Sequence, residues 1–123
     1  MRLMVVDDSN MIRSRIARLV DNGGLPAISR VWQARNGVEA LRLARATQPD
    51  VVTMDLTMPE MDGLECIREL MRLQPGIHIL VVSALSDKTT AIAALRMGAR
   101  GFVSKPFGDD ELKIALLEVM EAM

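Results

Sequence analysis

The sequence predicts a doubly wound α/β fold: five β-α units making a three-layer sandwich around a parallel five-stranded sheet. The first observation is rhythm, because short apolar runs rich in Val, Ile and Met alternate with stretches of helical period along all 123 residues, with no linker or low-complexity segment between them. The second is punctuation: Gly23-Gly24 with Pro26, then Pro49, then Pro75-Gly76 fall where a helix must stop. The third is size, since a chain of this length suits one domain, here taken as residues 1–123.

Strands are expected over 3–6, 29–34, 51–54, 77–82 and 100–103. Four of them read as buried on both faces, as central parallel strands should be. The second, Arg30-Val31-Trp32-Gln33-Ala34, alternates polar with apolar and suits an edge. In the first helix Ile12, Ile16, Leu19 and Val20 form one apolar stripe, with Arg13, Arg15 and Arg18 mostly off it. Further helices are expected over 37–47, 62–73, 89–97 and 109–122. Asp109, Asp110 and Glu111 open the last one at its positive end.

Composition narrows the function classes. With no Tyr, one Trp and two Phe, little surface exists for stacking bases or flat cofactors, and a net charge of −1 creates no field toward DNA or anionic lipid. No direct nucleic-acid partner is expected. The apolar run at the start is cut off by Asp7 and Asp8, too short for a signal peptide or a membrane span, so no membrane insertion and a cytoplasmic location are expected. The single cysteine, Cys66, reads as a buried helix residue, and the single histidine, His78, as a strand-end residue rather than a ligand.

In a doubly wound sheet the site lies outside the carboxyl ends of the strands. Asp7 and Asp8 follow the first strand, Asp55 ends the third, Ser83 ends the fourth and Lys105-Pro106 follow the fifth. Singly, each has an ordinary explanation as a solvated loop acid, a helix cap or a surface charge. Together they share one edge of the sheet. Three clustered carboxylates raise one another's proton affinity unless a cation joins them. A hard divalent ion resolves this, Mg²⁺ by preference and Mn²⁺ as a substitute, with Asp8 binding directly and Asp7 through water. Lys105 would offset charge on a transferred phosphoryl group, Ser83 would donate to one of its oxygens, and Asp55 would be the nucleophile. The resulting mixed anhydride is labile and suits a reversible signal.

Five blocks of the sequence resemble the receiver domain of two-component response regulators. They are Val6-Asp7-Asp8-Ser9; Asp55-Leu56-Thr57-Met58-Pro59 with Met61-Asp62-Gly63; Ser83-Ala84; Gly98-Ala99-Arg100-Gly101-Phe102; and Lys105-Pro106-Phe107. The resemblance covers essentially the whole chain. It implies a flavodoxin-like strand order of 2-1-3-4-5, which comes with the family and not from the spacing. It also implies a cis Lys105-Pro106 peptide and the Thr57 carbonyl as third protein ligand of the metal. The donor would be a phosphohistidine on a sensor histidine kinase or phosphotransfer protein, as in chemotaxis-type regulators. Phosphorylation would draw Ser83 toward Asp55 and bury Phe102 behind it. The protein would then be a signalling domain that promotes its own phosphorylation and dephosphorylation, not an enzyme acting on other substrates. Phe102 lacks the hydroxyl that a Tyr would bring to this role, and Leu85 is apolar where many members are polar.

Three other readings compete, one of them a degenerate, phosphorylation-independent receiver, against which all the chemically necessary residues are present. A flavodoxin needs a hydroxyl-rich phosphate loop after the first strand, where this chain has Asp7-Asp8. An aspartyl-nucleophile phosphatase needs a second Asp two residues after the first, where this chain has Thr57. Thr57, Ala84 and Leu85 are expected to tune the lifetime of the anhydride by controlling water access. Ile114, Leu117 and the many-sided apolar fourth helix predict an output face formed by that helix, the fifth strand and the fifth helix, offered to a downstream protein or a second copy. No effector domain follows the fifth helix in this sequence, so two cases are expected: a stand-alone regulator of the chemotaxis type, or the receiver part of something longer.

Overall fold

The computed structural model describes residues 1–84 and 88–121. The strands are β1 (Arg2–Val6), β2 (Arg30–Ala34), β3 (Val51–Met54), β4 (His78–Ala84) and β5 (Gly101–Lys105). All are parallel, in the order β2-β1-β3-β4-β5. The helices are α1 (Asn10–Leu19), α2 (Gly37–Thr47), α3 (Gly63–Leu73), α4 (Lys88–Met97) and α5 (Asp109–Glu121). Expected and observed bounds agree to within one or two residues, and the expected end of α5 at Ala122 lies outside the described residues.

Strand alternation sorts the core into two halves, one on each face of the sheet. Met4, Val6, Val52, Met54, Ile79 and Val81 meet side chains of α2, α3 and α4. Leu3, Val5, Val51, Leu80 and Val82 meet those of α1 and α5, including Ile16, Leu112 and Leu116. β1, β3 and β4 are buried almost throughout, but β5 is half-exposed except at Val103. The expectation of four doubly covered strands is therefore corrected to three. β5 has a strand on one side only, and Gly101 brings no side chain to cover it.

The starts of α1, α2 and α3 are each tied by a side chain. Ser9 Oγ accepts from the Ile12 N–H, Asn36 Oδ1 from Glu39 N–H and Asp62 Oδ1 from Glu65 N–H. α1 ends in a π-type turn over Val20–Gly24, where Gly23 takes φ +80° and reverses the chain. Gly63 is required for a different reason. A Cβ there would lie 2.5 Å from the Asp55 carbonyl oxygen, so only glycine lets α3 begin against the end of β3.

Cys66 is buried in α3, as expected, and burial pushes its thiol up to about 12. His78 begins β4 as expected, buried, with Nδ1 3.1 Å from the Val119 carbonyl of α5. Among the described residues no helix is long and apolar enough to cross a membrane.

Candidate functional site

The carboxyl ends of β1 and β3 lie side by side, with Val6 paired to Met54. The Asp55 N–H donates to the Val6 carbonyl at 3.0 Å, and the Asp7 N–H to Ala34 of β2 at 3.1 Å. These last rungs of the sheet place Asp7 and Asp55 just past its edge. Asp7, Asp8 and Asp55 each offer an oxygen within 4.8 Å of the others; Asp7 and Asp55 are buried and Asp8 is exposed. The cluster is thus a half-buried acidic cup with one arm in solvent.

Lys105, the last residue of β5, sends Nζ to 2.8 Å from Asp7 Oδ2 and 3.6 Å from Asp55 Oδ2. The peptide that follows it, Lys105-Pro106, is cis, in agreement with the expectation. Asp7 Oδ1 accepts from the Ser9 N–H at 2.9 Å, whereas Asp7 Oδ2 is buried with no aligned hydrogen bond, only the ion pair. Asp55 Oδ1 accepts from the Thr57 N–H at 3.2 Å.

Burial of Asp55 raises its carboxyl from 3.8 to about 7; Asp7 and, more weakly, Asp8 add to the rise, while Lys105 and the Thr57 N–H oppose it. One ammonium does not balance three carboxylates. The set fits a hard divalent cation: every donor is oxygen, two of the three carboxylates are buried with a single ammonium beside them, and the exposed arm leaves room for water ligands.

Ser83 is buried near the end of β4, two residues past Val81, the neighbour of Met54. Ser83 does not end its strand as expected, since β4 continues through Ala84, which pairs with Lys105. Phe102 lies beside Val81 in register and packs, half-buried, on the same core half as Val81. It lines an apolar groove with Ala91, Ile92 and Leu95 of α4. Ile92, Leu95, Ile114 and Leu117 are exposed, while Leu112, Leu116 and Val119 are buried, as the stripe of α5 predicts. Thr57 and Ala84 are exposed at the mouth of the site, and Leu85 lies outside the described residues.

Two arginines were not legible as site residues. Arg13 donates from Nη1 to the Asp7 carbonyl at 2.6 Å. Arg15 pairs with Asp109 at 3.0 Å and stacks on Phe107, 4.6 Å from the ring centre, tying α1 to the loop behind Lys105. Both sit off the apolar stripe of α1, where an arginine ordinarily faces water. Their positions, six and eight residues after the acidic pair begins, were the only signal.

Comparison with known proteins agrees with this geometry. Residues 3–117 match the family described as the response regulator receiver domain. The chain is 36% identical to chemotaxis protein CheY of Thermotoga maritima, over 96% of each chain. It is 34% identical to the CheY of Listeria monocytogenes, over 94% of this chain and 95% of that one. A methylesterase/glutaminase of Carboxydothermus hydrogenoformans is 42% identical over 92% of this chain, which covers only 32% of that protein. Among solved structures, a LuxR-family two-component response regulator from Aurantimonas superposes with a TM-score of 0.88 at 33% identity, covering 98% of this chain and 85% of that one. The response regulator domain of Thermotoga maritima CheB gives 0.82, also at 33%, covering 99% and 95%. With the sheet order, the acidic cup and these relatives in agreement, the chain belongs to the response regulator receiver domain family of two-component signalling and is CheY-like.

Proposed function

We propose that Asp55 accepts a phosphoryl group from a phosphohistidine of a sensor histidine kinase or phosphotransfer protein. The observation that carries the reading is the convergence of Asp7, Asp8 and Asp55 within 4.8 Å, with the Lys105 ammonium inside the cup. An oxygen of Asp55 bonds to phosphorus as the P–N bond of the donor breaks, and the imidazole leaves with that electron pair. The Thr57 N–H and the Lys105 ammonium hold the carboxylate and offset negative charge on the phosphoryl oxygens. Ser83 donates to one of those oxygens. Asp8, Asp55 and the Thr57 carbonyl would hold Mg²⁺, or Mn²⁺ in its place, with Asp7 behind a water ligand. The bound ion would supply charge neutralisation that keeps Asp55 ionised near neutral pH.

Asp7 suits the outer role because both of its oxygens are already engaged, one by Ser9 and one by Lys105. As Ser83 moves toward the phosphoryl group, Phe102 turns into the space behind it. The groove between Phe102 and α4 then changes shape. The partner, a downstream protein or a second copy, reads the face of α4, β5 and α5. One relative in fold is the CheY of a CheX-CheY-BeF3-Mg complex from Borrelia burgdorferi, with a TM-score of 0.89 at 25% identity, covering 98% of this chain and 89% of that one.

The test is incubation with acetyl phosphate, with Mg²⁺ or with EDTA. One phosphoryl group per chain should appear with Mg²⁺ only and not in Asp55→Asn. Uptake undiminished by EDTA, or retained in that variant, would refute the reading.

A further inference from the structure

The last sheet bonds at the end of β1 use the Asp7 N–H and the Val6 carbonyl, so the Asp7 carbonyl lies one step beyond the sheet. That carbonyl belongs to the peptide unit joining the two acids. Because the unit is planar, fixing its oxygen also fixes the direction in which the chain enters Asp8. Arg13 fixes it: half-buried on the first turn of α1, it donates from Nη1 to this oxygen at 2.6 Å and from Nη2 to Asn10 Oδ1 at 3.1 Å. A planar guanidinium with two donors engaged is held in orientation as well as position.

The other groups of the loop are bound back onto the same turn. Asp7 Oδ1 accepts from the Ser9 N–H, Ser9 Oγ from the Ile12 N–H, and the Ser9 carbonyl from the Arg13 N–H. Asp8 is the exposed carboxylate of the three, and no side-chain hydrogen bond fixes it among the described residues. Its placement depends on the backbone, and the backbone there is gripped by Arg13.

We infer that Arg13 is a positioning residue for the acidic pair, setting the Asp7-Asp8 peptide so that the Asp8 carboxylate faces the cup shared with Asp55. This deepens the metal reading proposed above and rests on it. The residue does not touch the phosphoryl group, and its effect reaches the reaction through the ligand set.

The experiment is calorimetric titration of Mg²⁺ into wild type, Arg13→Ala and Arg13→Lys, alongside urea unfolding and amide spectra of all three in EDTA. Arg13→Ala should weaken Mg²⁺ binding about ten- to a hundredfold, the usual effect of losing a group that orients a metal ligand. Arg13→Lys, with a flexible point charge, should fall between. Alanine favours helix, so loss of α1 itself should not confuse the result. In EDTA the Asp8 and Ser9 amides of Arg13→Ala should shift or broaden, with those near Arg18 unmoved. Unchanged Mg²⁺ affinity in Arg13→Ala beside normal wild-type binding would overturn the inference. Wild type that binds no Mg²⁺ would overturn the metal reading instead. The amide spectra would then decide the role of Arg13, and an unmoved Asp8 amide would overturn it.

Discussion

Lys105 Nζ stands closer to Asp7 Oδ2, at 2.8 Å, than to Asp55 Oδ2, at 3.6 Å. Its charge nevertheless lowers the Asp55 carboxyl against the larger upward push of burial and of Asp7. Lys105→Met should therefore move the Asp55 midpoint above about 7 in EDTA. Carboxyl-carbon resonances followed through a pH titration measure this directly. A midpoint that stays in place, or falls, would mean that Lys105 is engaged by Asp7 alone.

The raised Asp55 carboxyl makes stability depend on pH, with a definite sign. Below the unfolded value of 3.8 both states hold the proton and the group contributes nothing. As pH rises from there to about 7, the unfolded chain releases the proton first and the folded state loses stability. Above that window the loss is complete. Asp55→Asn removes the charge, so in EDTA it should leave stability unchanged near pH 3.5. At pH 8 it should raise stability by on the order of 2–4 kcal/mol, at about 1.4 kcal/mol per pKa unit. Urea unfolding at the two pH values checks this, and an Asn variant no more stable at pH 8 would contradict it.

Thr53 lies in the middle of β3 between Val5 and Leu80, buried, with no hydrogen bond to its hydroxyl among the described residues. An unmet buried hydroxyl costs about 1–3 kcal/mol. Thr53→Val keeps the shape, suits a strand and removes that cost. A gain of roughly 1 kcal/mol in urea unfolding is expected. A loss of stability would show that the hydroxyl has a partner of its own.

Thr57 and Ala84 stand exposed at the mouth of the site, and Ala84 immediately precedes Leu85 in the sequence. An apolar side chain at 85 offers no hydrogen bond to a water attacking the anhydride. The phosphorylated wild type should lose its phosphoryl group more slowly than Leu85→Glu, with Thr57→Asn a second lever. Loss of label after removal of the donor gives the rates, and equal decay in all three would exclude this control.

The sheet was legible because its strands are apolar runs bounded by breakers, and the acids because all of them fall just past those runs. From sequence β5 looks more buried than it is because Phe102 and Val103 are apolar, although an edge strand with Gly101 is covered on one side only. Arg13 and Arg15 stayed hidden because helical period separates apolar from polar, not polar side chains in water from polar side chains bound to backbone or ring. The Thr53 hydroxyl was invisible for a similar reason, since a Thr in a run of Val and Met is what any buried strand tolerates.

Locating the phosphoryl group on Asp55 itself, rather than on Asp7 or Asp8 a few ångströms away, tests the central claim most directly. Borohydride reduces an acyl phosphate to the alcohol, turning a phosphorylated aspartate into homoserine that peptide mass spectrometry can place. After acetyl phosphate and Mg²⁺, the homoserine mass should appear at position 55 in wild type and disappear when EDTA replaces Mg²⁺. Homoserine at position 7 or 8, or the same yield with EDTA, would contradict the account.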